Sequence, residues 1–114
     1  MSGIRGNAEL AGRLRRAIGR SGADDVRRLD LAWRLGRLGY ASEALEEYAR
    51  VTLAGRLPIE YLVRLATLAV EVGHVALARH CLGAAQRAGL EAEVQELRAL
   101  MAGTQDDPRR RRDG

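Results

Sequence analysis

The stretch from Arg28 to Ala88 contains itself twice, at an offset of 34 residues that lays Gly39 over Gly73. In that alignment Leu31 falls on Leu65, Ala32 on Ala66, Ala44 on Ala78, Tyr48 on Leu82 and Val51 on Ala85. Literal identity is thin, but small residues meet small ones and apolar residues meet apolar ones. Each copy holds two apolar patterns of helical period. A unit of this kind cannot bury its apolar face alone and must stack on copies of itself. The duplication therefore predicts an all-α array of paired helices.

Composition agrees with helices. Leu, Ala, Arg and Glu are strong helix formers, Phe is absent and there are only two prolines. A chain of 114 residues is one domain on length alone and buries enough surface to fold without a staple. Cys81 is the only cysteine, so no internal disulfide forms and a reducing compartment is the simple reading. The N-terminus lacks the apolar core of a signal peptide, and no run reaches the roughly 20 apolar residues of a membrane span. The expected location is the cytoplasm. All 19 positive residues are Arg, a bias that GC-rich bacterial coding produces. Their excess is uneven: residues 1–28 carry seven Arg against three acids, residues 29–103 eight against nine, and residues 104–114 four against three.

Along the chain, residues 1–6 are expected to be flexible. Asn7 suits an N-cap for a first helix from Ala8 to Ile18, with Leu10, Leu14, Ala17 and Ile18 inward. Ser21, with Asp24 three residues on, resembles a capping box for a second helix from Ala23 to Leu38. That helix has two apolar faces, Leu31, Leu35 and Leu38 on one and Val26, Leu29 and Trp33 on the other. The third helix runs from Ser42 to Ala54, with Ala44, Leu45, Tyr48 and Val51 inward and Glu43, Glu46, Glu47 and Arg50 mostly solvated. Pro58 suits the first turn of a fourth helix, apolar almost all round from Tyr61 to Val72. A fifth spans Val75 to Ala88. A sixth, Glu91 to Ala102, carries Val94, Leu97, Leu100 and Met101 and reads as a solvating cap. Residues 103–114 read as a disordered, Arg-rich tail.

The period, the paired helices, the Leu31-Ala32 and Leu65-Ala66 pairs, the Ala44/Tyr48 and Ala78/Leu82 spacings and the turn glycines together resemble the tetratricopeptide repeat family. Departures from its pattern are plain. Arg28 and Leu62 stand in the tryptophan register, Leu35 and Ala69 in the tyrosine register, and the closing proline is displaced to Pro58 after one copy and absent after the other. The resemblance implies a right-handed solenoid of helical hairpins, residues 7–102, with two full repeats flanked by single helices. It implies that the first helix of each pair lines a concave face. That register assigns Val26, Leu29, Trp33, Gly36 and Arg37 to the lining from the second helix. The fourth helix adds Glu60, Val63, Thr67, Val70 and Glu71, and the last Val94, Leu97 and Met101.

Most of that lining is apolar, and contiguous apolar surface beyond what a core needs marks interaction sites. Trp33 is the only Trp, and large aromatics dominate binding hot spots. The expected function is protein–protein interaction, as an adaptor or chaperone holding an apolar or amphipathic segment of a partner, with Arg37 and Glu71 at the rim. Small bacterial chaperones of the family fit the size. Two other readings of the same residues stay open, a self-associating homodimer and plain core. Nucleic acid is disfavoured. Arg13, Arg16 and Arg20 share a helix face and Arg109 to Arg112 form a run, but Asp106, Asp107 and Asp113 flank the run and no aromatic interleaves. His74 and Cys81 lie two turns apart, His80 points elsewhere, and zinc needs four close ligands. No metal, cofactor or enzymatic activity is expected.

Overall fold

The computed structural model describes residues 2–105, and all their regular structure is helical. The helices are α1 (Ser2–Gly19), α2 (Asp25–Arg37), α3 (Ala41–Leu53), α4 (Leu62–Glu71), α5 (Val75–Arg87) and α6 (Glu91–Gln105), with a 3₁₀ turn (Ile59–Tyr61) leading into α4. The expected tail at residues 106–114, with its Arg run, lies outside the described residues.

The 34-residue period is written into the helix ends. Shifted by 34 residues, α2 lands on the 3₁₀ turn plus α4, and α3 lands on α5. Helices α1, α3 and α5 end at Gly19, Leu53 and Arg87, again 34 residues apart. The closures repeat too. The Tyr40 N–H donates to the Leu35 carbonyl (3.3 Å), and the His74 N–H to the Ala69 carbonyl (2.7 Å). The Arg56 N–H donates to the Val51 carbonyl, and the Leu90 N–H to the Ala85 carbonyl, both at 3.0 Å. Each is the six-to-one bond of a Schellman close, which needs a left-handed residue just past the helix. Gly39 and Gly73 supply it with φ of +106° and +83°.

Backbone contacts divide the chain into two compact units, Met1–Ile59 and Glu60–Gly114, where one repeat domain over 7–102 was expected. Contacts in an array of hairpins are mostly local, so the division falls at a connection rather than inside a helix pair. In the first unit α2 packs against both α1 and α3; in the second, α4 packs against α5 and α6, and α5 against α6. Ala32, Ala44, Ala66 and Ala78 are fully buried. Small side chains at crossing points let helix axes approach closely.

Several local expectations are corrected. Helix α1 begins at Ser2, so Asn7 is interior and residues 2–6 are helical. Gly and Asn each cost only about 1 kcal/mol or less inside a helix, and no proline intervenes, so the nucleated helix propagates back. In α1 Ala11 is fully buried, whereas Leu10 is exposed. Ser21 does not cap α2. Its hydroxyl donates to the Ile18 carbonyl (2.6 Å), and Asp24 is the cap, accepting from the Arg27 N–H at 3.1 Å. Helix α6 continues through Gly103 to Gln105, past the expected start of the tail.

Candidate functional site

Helix α2 carries the surface with most recognition chemistry. Its core side is fixed by Leu29, Ala32, Leu35 and Gly36, all buried. The buried Tyr48 hydroxyl of α3 donates to the Leu29 carbonyl at 3.0 Å. This tie sets the rotation of α2 and leaves the strip Val26, Asp30, Trp33 and Arg37, spaced at i, i+4, i+7 and i+11, on the flank of the buried side. Val26 is 50% exposed, Trp33 is half-buried, and the exposed Arg37 lays its guanidinium 4.3 Å from the Trp33 ring centroid. That is cation–π distance, and it holds the indole as a flat, partly wet platform.

Beside this strip lies a shallow open hollow of about 290 Å³, lined by Asp24, Val26, Arg27, Asp30, Leu31 and Arg34. The repeat register gave Leu31 a core role; in the structure it is half-buried at this hollow. Arg27 and Arg34 were not among the expected site residues. Their signal was available, since seven residues is two helical turns and places both on one side of α2.

The other expected site residues fall into two groups. Leu29 and Leu97 are fully enclosed and Met101 nearly so, as are Gly36 and Val94. These are core positions, because apolar side chains at helical spacing satisfy packing first. Val63, Thr67 and Val70 on α4 are half-buried, and the Thr67 hydroxyl is turned inward, donating to the Val63 carbonyl at 2.8 Å. Glu60 and Glu71 are exposed near the two ends of the 3₁₀ turn plus α4. In the second unit an open hollow of about 600 Å³ follows the α5–α6 turn, lined by Gln86, Leu90, Glu91, Val94, Gln95 and Arg98 among others. Its side chains are mostly polar, and it presents no aromatic anchor.

Charge on the first unit is partly tied down. Arg15 on α1 grips Glu43 on α3 through two donors, at 2.6 and 2.8 Å, and stacks on the Tyr40 ring. Arg28 and Arg50 both reach Glu47. Arg56 reaches Asp25 at 2.6 Å. Glu43 and Glu47, expected to be solvated, are thus half-buried ion-pair members. The Arg15 guanidinium holds the Glu43 carboxyl below its ordinary range, and Arg56 does the same for Asp25, in each case chiefly by hydrogen bonding. Arg13, Arg16 and Arg20 are exposed along α1, with the exposed Glu9 on the same side.

The nucleophile and metal candidates are accounted for by packing. Cys81 is fully buried, and burial pushes its thiol up to about 11, so it is a small apolar filler at neutral pH. His74 caps α5, its Nδ1 accepting from the Leu77 N–H at 3.3 Å, while His80 is exposed on the helix. Among the described residues no three His, Cys, Asp or Glu side chains converge on a point suited to an ion, and no helix is long and apolar enough to cross a membrane. Comparison with known proteins returned no matching family model, no matching curated protein and no matching solved structure.

Proposed function

We propose that the chain is a non-catalytic protein-interaction module of the tetratricopeptide type, an adaptor or chaperone that takes an apolar or amphipathic segment of a partner protein on the α2 face. The family reading is supported by the 34-residue recurrence of helix ends and Schellman closures. The functional reading rests on one observation above the others. Trp33 stands half-exposed under Arg37, next to an exposed Val26, on the first helix of a hairpin. A large aromatic kept at the surface in a fixed pose is what an interface anchor needs, since little side-chain entropy remains to be lost on binding.

Trp33→Ala tests this. The expected result is loss of partner retention in a pull-down with little change in the thermal midpoint, because the side chain is only half-buried. A fall of several degrees with retention unchanged would make Trp33 a packing residue and remove the reading.

A second reading has its own observation. Leu53 is 89% exposed at the end of α3, and Ile59 is 46% exposed six residues on. Apolar side chains placed this way in one unit favour self-association of the chain. Size-exclusion chromatography with light scattering separates the two: a dimer that dissociates in Leu53→Glu supports self-association, and a monomer at all concentrations rejects it.

A further inference from the structure

We propose that the segment taken by the α2 face is acidic, an amphipathic stretch whose apolar side meets Val26 and Trp33 and whose carboxylates meet Arg27 and Arg34. This rests on the α2 face being a binding surface and adds the chemistry of what it binds.

The argument is one of charge accounting on a single helix. Most pairing of arginines in the first unit is internal and satisfied: Arg15 with Glu43, Arg28 and Arg50 with Glu47, Arg56 with Asp25. Arg27 and Arg34 are different. Both are exposed, and among the described residues neither side chain enters an ion pair. Both line the hollow that Val26 and Leu31 floor. The two acids of that hollow are otherwise engaged. Asp24 spends its carboxylate on the α2 N-terminus, and Asp30 has an interaction of its own. A third guanidinium, Arg37, lies flat on Trp33. The apolar strip is therefore flanked by cations whose planar donors match carboxylates two at a time. Placed at i and i+7, Arg27 and Arg34 are about 10 Å apart along the axis, the spacing of carboxylates two turns apart on a partner helix. A basic or neutral apolar segment leaves both cations facing nothing or facing repulsion, which is how charge selects among otherwise similar partners.

The lone tryptophan is the built-in reporter. Three short helical peptides serve as probes, each with the same Leu face and with Glu, Gln or Lys opposite. The Leu/Glu peptide is expected to shift Trp33 emission saturably, with affinity at least about tenfold above the Leu/Gln peptide and weakening as salt rises; the Leu/Lys peptide is expected not to bind. Arg27→Glu with Arg34→Glu, folding checked by circular dichroism, should lose the Leu/Glu peptide and gain the Leu/Lys peptide. Equal binding of all three peptides overturns the charge selection and leaves the α2 seat standing. No response to any of them overturns the seat itself, and the selection with it. A short oligothymidylate that displaces the Leu/Glu peptide and binds more tightly overturns the protein-segment assignment in favour of nucleic acid.

Discussion

Tyr48 joins the local chemistry of α3 to the pose of α2, because its ring is fully buried and its hydroxyl donates to a carbonyl in the next helix. Removing only that hydroxyl, in Tyr48→Phe, is expected to cost about 1 kcal/mol in denaturant unfolding, the usual net worth of one internal hydrogen bond with a backbone carbonyl left short of a donor. Its repeat counterpart, Leu82, has no such group, so Leu82→Phe is not its mirror. Cys81 gives a second residue-scale expectation. Its folded thiol titrates near 11 against an ordinary 9.0. The fold therefore favours the neutral thiol, and the associated stability is complete below pH 9 and falls as pH rises from 9 toward 11. Unfolding free energies measured across that window should decline more steeply in the wild type than in Cys81→Ala; equal slopes would show that the thiol is not held protonated by burial. The repeat register places both side chains inward from the sequence alone. It does not say which carbonyl the Tyr48 hydroxyl meets, because that depends on how α3 rotates against α2.

Helices in this chain stop where glycine lets them. The Schellman closes after α2 and α4 repeat at the same offset as the apolar pattern, so the stop signals and the packing signals were duplicated together. Nothing crowds the position of a Cβ at Gly73, yet its φ of +83° strains any other L residue. Gly73→Ala should therefore lose about 1 kcal/mol through backbone strain alone, with the α4–α5 closure weakened and the Cys81 core left unchanged in composition. A neutral result in equilibrium denaturation would mean that the turn relaxes to negative φ at no cost. Helix starts were less legible. Ser21 and Asp24 both carry acceptors within one turn of the start of α2, and sequence spacing alone does not decide which of them turns to the free amides. The Ser21 hydroxyl donates back to α1, and Asp24 takes the cap. The first turn of α1 was missed for a related reason. Two glycines and an asparagine lower helix propensity without forbidding it, and propensity is a weak guide against propagation from a helix already packed on its neighbour.

Across the molecule, an even formal balance in the repeat body conceals a selective use of arginine. Arg15 and Arg56 join elements far apart in sequence within the first unit, to Glu43 and Asp25. Both carboxyls titrate below their ordinary range because of those guanidinium partners. A depressed carboxyl stabilises the fold above its ordinary pKa, and that contribution is lost as pH falls through the folded value. Acid unfolding should therefore begin below the ordinary carboxylate range. It should come at higher pH in Arg15→Gln or Arg56→Gln, and the difference should shrink in high salt, since both pairs are largely exposed and screened. An acid midpoint unchanged in both variants would show that the pairs contribute no net stability. The sequence by itself determined that this chain is helical, how many helices it forms, where most of them end, and that Ala32, Ala44, Ala66 and Ala78 are interior. Those features follow from apolar period, helix propensity and glycine placement, which act over a few neighbouring residues. Only the tertiary structure decided which of two apolar faces on α2 is core. It enclosed Leu29 and, in the second unit, Leu97 and Met101. It left Val26 and part of Trp33 at the surface, brought Leu31, Arg27 and Arg34 around one hollow, and drew Glu43 and Glu47 out of solvent. The helical period puts both faces on offer. The rotation that chooses between them is set by contacts with another helix, such as the Tyr48 hydroxyl on the Leu29 carbonyl, and no local signal encodes it.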